Sequence, residues 1–101
     1  MPSHTSLDNQ HAIVLSDRAD FSQAEELKGA FETVVASTGD VDVDAQNVEF
    51  ISTPCLQIII AAATSIQRTG RKFQISNASP AFHDAVNELG LDGLFSQWER
   101  E

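Results

Sequence analysis

The sequence predicts an α/β domain, in which a small, mostly parallel or mixed β-sheet packs against helices. Its 101 residues suit one domain built around a single core. Short apolar runs are separated by longer segments in which apolar residues recur at helical spacing. These segments follow the order strand, helix, strand, helix, strand, helix, which favours parallel strand pairing with right-handed crossovers.

The first strand and the first helix are predicted between residues 11 and 37. HAIVLS, residues 11–16, is a short apolar run typical of a strand. Ser22 with Glu25 three residues later matches a capping box, while Asp20 with Gln23 offers a second helix start within one turn. The helical stripe that follows comprises Ala24, Leu27, Phe31, Val34 and Val35. We therefore expect a helix over roughly residues 22–37.

The second strand leads into the most apolar helix of the chain. In residues 41–45 valine and alanine alternate with aspartate. This period of two residues fits the alternating faces of a strand and not a helix. Val48 and Phe50 follow a turn at Gln46 and Asn47 and lead into the next helix. The next helix is expected to end at residues 69–70, and its inward stripe comprises Leu56, Ile59, Ile60, Ala63 and Ile66.

The third strand, KFQIS at residues 72–76, precedes the last predicted helix. Ser79 and Pro80 predict its start, because a serine hydroxyl caps free amides and a proline at the first helical position loses no hydrogen bond. The buried face of this helix is assigned to Ala81, Ala85, Val86 and Leu89, and Gly90 ends it. The sequence leaves open the form of a closing segment with the apolar anchors Leu91, Leu94, Phe95 and Trp98.

Composition argues against several classes of function. The formal net charge is −9 and the few Lys and Arg residues are dispersed, so neither nucleic acid nor anionic lipid is an expected partner. No apolar run approaches the roughly 20 residues of a membrane span, so we expect no membrane insertion. The three histidines are scattered, and we find no metal-ligand spacing and no cofactor motif.

The first ten residues, MPSHTSLDNQ, are polar and lack the basic start and apolar centre of a signal peptide. The single cysteine, Cys55, cannot form an internal disulfide, which suits a reducing compartment. These features predict a cytoplasmic protein with a flexible amino terminus over residues 1–10 and a domain over residues 11–101.

The candidate site is the stretch ISTPCL, residues 51–56, which joins a strand to a helix amino terminus. Either Ser52 or Thr53 is expected to cap the helix, and the helix dipole there would favour a phosphate on Thr53. Pro54 removes one amide that could hold such a phosphate. The alternative is an ordinary N-cap with proline at the first helical position and no further role. For Cys55, a packed side chain is favoured over a nucleophile, since no His or Asp lies nearby in sequence.

The helix that follows is apolar beyond its inward stripe. Cys55, Ile58, Ala61, Ala62 and Ser65 are left on its flanks or outer side, with no charge before Arg68. Either the closing segment covers this flank or a partner protein does. Under the second alternative, Ala62→Asp is expected to abolish partner binding and to leave the fold intact.

Two stretches carry a family resemblance: LSDRADFSQAEELK and VDVDAQNVEFISTPCLQIIIAAATSIQRTGRKFQISNASPAFHDAVNELGL. They resemble a STAS domain, the module of bacterial anti-sigma-factor antagonists, and the resemblance spans residues 12–95. The resemblance implies a non-enzymatic domain that docks on kinases, receptors or transporters. In the antagonists the loop reads Asp-Ser-Ser-Gly-Leu or Asp-Ser-Thr-Gly-Leu, and the residue after the aspartate is phosphorylated. Thr53 falls on that phosphoacceptor position, with Ser52 in place of the aspartate, Pro54 of the second hydroxyl and Cys55 of the glycine.

Three hypotheses of function follow from this resemblance. Two short segments, VDA at residues 43–45 and CLQIIIAAA at residues 55–63, are similar to the sequences of small STAS proteins from alphaproteobacterial chemotaxis operons. This implies a signalling adaptor that docks on a chemotaxis protein or receptor through the loop 51–55 and the following helix. One alternative is an antagonist of a kinase-like anti-sigma factor that is switched by phosphorylation at Thr53, with Ser52 as a second phosphoacceptor candidate. The other alternative is a cytoplasmic STAS subunit of a lipid-transporting ABC complex. An enzyme is not expected, because no nucleophile has an adjacent base.

Overall fold

The computed structural model describes residues 10–100 of the chain. Its elements, in order, are β1 (Gln10–Val14), β2 (Arg18–Ala19), a 3₁₀ turn (Phe21–Gln23), α1 (Ala24–Val35), β3 (Asp40–Asp44), β4 (Phe50–Ile51), α2 (Thr53–Arg68), β5 (Phe73–Ser76), α3 (Pro80–Glu88), α4 (Asp92–Ser96) and β6 (Glu99–Arg100). The predicted flexible segment at residues 1–10 lies outside the described residues, except for Gln10, which begins β1. Among residues 10–100, no helix combines the length and the apolar character that a bilayer crossing requires.

The main sheet has four strands in the order β1-β3-β5-β6, and all neighbouring strands pair in parallel. Val43 lies opposite Ile13 on one side and Ile75 on the other, so these side chains share a face of the sheet. That face is the core side, since Val43 and Ile75 are fully buried. The predicted α/β class and the parallel pairing are confirmed.

The turn predicted at Gln46 and Asn47 is confirmed, and the segments before and after it form two separate strands, β3 and β4. The Gln46 backbone amide donates a hydrogen bond to Asp44 Oδ1 at 3.0 Å, and the turn that this bond closes ends β3. Phe50 then enters β4, which pairs with β2 in a separate two-stranded sheet. The amide of Phe50 donates to the Asp17 carbonyl at 3.1 Å, a partner far away in sequence that the local alternation does not reveal.

The first helix starts differently from the predicted capping box. Asp20 is the cap residue: its Oδ1 accepts from the Ser22 amide at 3.1 Å and from the Ser22 hydroxyl at 2.6 Å. A single 3₁₀ turn follows, and α1 proper begins only at Ala24. The Asp20 start that the sequence offered thus begins the 3₁₀ turn, whereas the N-cap of α1 is Gln23, which makes no side-chain capping bond.

The closing segment forms α4 and β6 and completes the core beside β5. The Trp98 carbonyl accepts from the Ile75 amide at 2.7 Å, which adds β6 to the main sheet. Phe95 is fully buried, with its ring centroid 5.8 Å from that of Phe82 and 5.3 Å from that of Trp98. The form of this segment is thus set by aromatic contacts between elements that are distant in the chain.

Candidate functional site

The candidate site lies where β4 runs into α2. Ser52 has an extended backbone and is the N-cap of α2, so Thr53 and Pro54 occupy the first two helical positions. The Ser52 amide donates to the Ala19 carbonyl of β2 at 2.9 Å, and its carbonyl accepts from the Leu56 amide at 3.1 Å. The N-cap is therefore Ser52 and not Thr53, and the proline occupies the second helical position instead of the first.

The Ser52 side chain does not act as a cap. Its Oγ is buried and has no hydrogen-bond partner among residues 10–100, and it makes no capping bond to α2. Ser79, the N-cap of α3, behaves differently: its Oγ accepts from the Phe82 amide at 3.1 Å and donates to the Val48 carbonyl at 2.6 Å. The predicted start of α3 at Ser79 and Pro80 is confirmed, whereas the assignment of Leu89 to its buried face is wrong, because Leu89 is 44% exposed.

The predicted contact loop divides into exposed and buried residues. Thr53 is exposed and Pro54 is partly buried. Cys55 is fully buried and its Sγ lies 3.5 Å from the Asp20 carbonyl, so the interpretation as a packed side chain is confirmed. The expectation that Cys55 contacts a partner is wrong, because the side chain is fully buried against the segment after β2. Of the two candidate phosphoacceptors, only Thr53 is exposed.

The apolar flank of α2 is covered by α1. Ala62 lies on this flank and is only 5% exposed, so the expectation that it is open to a partner is wrong. Ile58 and Ser65 are partly buried, and Ala61 is exposed. A groove of about 290 Å³ between the two helices is lined by Lys28, Phe31, Glu32, Val35, Ile58, Ala61, Ala62 and Ser65. Neither alternative predicted from the sequence, the closing segment or a partner, accounts for the burial of Ala62.

The remaining outer face of α2 is polar but uncharged. From Thr53 to Gln67 the helix carries no Asp, Glu, Lys, Arg or His. The exposed residues on this stretch are Thr53, Gln57, Ala61, Thr64 and Gln67. Sequence reasoning missed Gln57 and Thr64, although steps of three and four from Thr53 place them on the same face as Ala61.

A second exposed feature adjoins the start of α2. Phe21 is 77% exposed and Phe50 is 43% exposed, and the Arg18 guanidinium carbon lies 5.2 Å from the centroid of the Phe50 ring. The hydrogen bond from the Ser22 side chain lowers the pKa of the nearby Asp20 carboxyl below its ordinary value. Sequence reasoning did not single out these residues, because an isolated phenylalanine in a turn carries no periodic signal.

Within residues 10–100, no group of at least three His, Cys, Asp or Glu side chains is arranged to hold a metal ion. The geometry of the candidate site is that of a surface: an exposed threonine at a helix start, an uncharged helix face and two exposed aromatic rings.

Comparison with known proteins assigns the family. The family model described as "Mlab, STAS domain" matches residues 3–96. The chain belongs to the STAS domain family. STAS domains are in general non-enzymatic modules for protein–protein interaction. No curated protein matches this STAS domain significantly.

Solved structures share the STAS fold at low sequence identity. A sulfate transporter family protein from Wolinella succinogenes superposes with a TM-score of 0.73 at 15% identity, over 90% of this chain and 75% of the other. The SulP transporter STAS domain from Vibrio cholerae gives a TM-score of 0.62 at 17% identity, over 90% of this chain and 72% of the other. At these identities the likeness concerns the fold alone.

Proposed function

We propose that this STAS domain is a non-enzymatic signalling adaptor that docks on a partner protein through Thr53, Pro54 and the outer face of α2. The observation that carries the proposal is the uncharged exposed face between Thr53 and Gln67 in a chain of net charge −9. Charged residues are depleted in the cores of protein interfaces, because their desolvation is costly. Small and amide side chains leave water at lower cost, so this face suits a desolvated contact.

The pathway we propose is bacterial chemotaxis, with a chemotaxis protein or receptor as the partner. The support is the similarity of VDA at residues 43–45 and CLQIIIAAA at residues 55–63 to small STAS proteins of chemotaxis operons. Affinity purification of the tagged protein from its own host, followed by mass spectrometry, would identify the partner. Copurification of a kinase-like anti-sigma factor, or of the ATPase of a lipid-transporting ABC complex, would instead support one of the two alternative functions.

The Ala61→Asp variant tests the docking face. Ala61 is exposed, so the variant is expected to fold normally, yet it places an unpaired carboxylate in the centre of the proposed contact. We expect at least about 30-fold weaker binding to the purified partner, measured by calorimetry. Ala30→Asp is the matched control, since it adds the same charge to an exposed alanine on α1, and its affinity should stay within about twofold.

Equal affinities of the wild type and Ala61→Asp would refute docking through this face. Circular dichroism spectra of both variants would verify that any loss of binding does not come from unfolding.

A second candidate function is a docking surface switched by phosphorylation. It is favoured by one observation: the Thr53 side chain is exposed at the first position of α2, whereas the Ser52 Oγ is buried. A phosphoryl group would add a charge of about −1.5 to −2 to the uncharged face and would repel a desolvated partner.

We expect incubation with the cognate kinase and ATP to add one phosphoryl group at Thr53, detected by peptide mass spectrometry. Thr53→Ala should abolish this modification and Ser52→Ala should preserve it. An unmodified Thr53 after this incubation would leave only the constitutive form of docking.

A further inference from the structure

We infer that the corner formed by β2, β4, the 3₁₀ turn and the start of α2 binds a basic surface of a partner protein. The exposed Phe21 ring is the anchor of this contact and becomes buried when the partner binds. This inference rests on the proposed docking function and specifies the chemistry of the partner. It is carried by three observations: the position of Phe21 relative to Thr53, the exposure of its ring, and the charges around it.

The strand pair β2–β4 places Phe21 beside the start of α2. Ala19 lies opposite Ile51 in the parallel register, and two residues beyond each of them begin the 3₁₀ turn at Phe21 and α2 at Thr53. Two bonds hold these segments together: the Ser52 amide donates to the Ala19 carbonyl at 2.9 Å, and the Cys55 thiol donates to the Asp20 carbonyl at 3.5 Å. The anchor is therefore continuous with the proposed docking face.

The Phe21 ring is available to a partner. At 77% it is the most exposed large hydrophobic side chain among the described residues. Phe50 is less available, because the Arg18 guanidinium lies over its ring at 5.2 Å. A large aromatic ring that becomes buried in a pocket of the partner can carry a large share of the binding energy.

The charges at this corner select a basic partner. Three carboxylates adjoin the corner: Asp17 directly precedes β2, Asp20 lies between β2 and the 3₁₀ turn, and Glu49 directly precedes β4. The cation in these segments, Arg18, is engaged with Phe50. A surface of Lys and Arg side chains around an apolar pocket complements both the acidic rim and the ring. A second copy of the same corner would bring like charges together, and the phosphates of nucleic acid or lipid would be repelled.

Photo-cross-linking in the host tests the position of the anchor. The photoreactive residue p-benzoyl-L-phenylalanine is introduced in place of Phe21, in place of Ala61, and in place of Leu89, which is 44% exposed at the end of α3. We expect a cross-linked protein at positions 21 and 61 and none at position 89. The peptide cross-linked to position 21 should lie next to Lys or Arg residues in the partner's sequence or structure. An adduct at 61 without one at 21, or an adduct at 21 with a second copy of this chain, would overturn the inference.

Affinity measurements with the purified, cross-linked partner test the chemistry. Phe21→Ala is expected to weaken binding about 30-fold, and Leu89→Ala to stay within about twofold. The association rate constant of the wild type should fall about tenfold between roughly 50 and 500 mM NaCl, since opposite charges steer the encounter. Wild-type affinity of Phe21→Ala, or an association rate constant that does not depend on salt, would contradict the inference.

The Ala61→Asp variant separates this inference from the proposed function. If Ala61→Asp loses binding while Phe21→Ala retains it, the domain docks through α2 and the anchor is wrong. If both variants bind like the wild type, docking through the α2 face is wrong as well.

Discussion

Replacing Phe95 with alanine is expected to lower the free energy of unfolding by about 3–5 kcal/mol. The Phe95 ring is 0% exposed and makes edge contacts with Phe82 of α3 and with Trp98, the residue before β6. Removing it would leave a cavity where the last two elements pack on the core, and the surrounding rings would lose dispersion contacts. Urea denaturation followed by circular dichroism would measure the loss.

Leu94→Ala is the matched control for this prediction. Leu94 is the preceding residue on α4 and is 36% exposed, so its truncation should cost less than about 1 kcal/mol. Similar losses for the two variants would mean that α4 does not contribute a specific core contact and that the closing segment is held mainly by β6.

Ala62→Asp is expected to unfold or severely destabilise the domain, by at least about 3 kcal/mol. The Ala62 side chain is 5% exposed and lies in the contact between α1 and α2, where a carboxylate would be desolvated without a partner. This outcome replaces the sequence-based expectation that the same substitution abolishes partner binding in an intact fold. Thermal and urea denaturation of the purified variant would measure the loss.

The neighbouring substitution Ala61→Asp is the control, because it adds the same charge to the same turn of α2 on the exposed side. Its free energy of unfolding should lie within about 0.5 kcal/mol of the wild type. A stable Ala62→Asp variant would show that α1 does not cover this flank in solution, and the outer face of α2 would then be wider than the structure indicates.

Much of the fold could be predicted from local patterns. The alternation around Val41 and Val43 correctly indicated a strand with one buried face, and Ser79 with Pro80 correctly indicated the start of α3. These signals are local, because backbone period and capping depend on residues a few positions apart. The turn at Gln46 and Asn47 was predicted correctly, whereas the pairing of β4 with β2 was not predicted, because Phe50 and Arg18 are far apart in sequence.

The candidate site was predicted in position and only partly in composition. The strand-to-helix junction at Thr53 was identified, and Thr53 is exposed as expected. The inward position of the Ser52 hydroxyl could not be predicted, because Ser and Thr are equally good caps in sequence. The exposure of Phe21 could not be predicted either, because phenylalanine side chains are usually buried in the core.

The sequence by itself determined the STAS fold, the place where β4 meets α2, and the absence of charge on α2 between Thr53 and Gln67. The tertiary structure alone decided that α1 covers Ala62, that the Ser52 hydroxyl is buried and that the Phe21 side chain is exposed to solvent. The physical reason is that periodicity tells which side of an element a residue occupies, whereas burial depends on which distant element packs against that side.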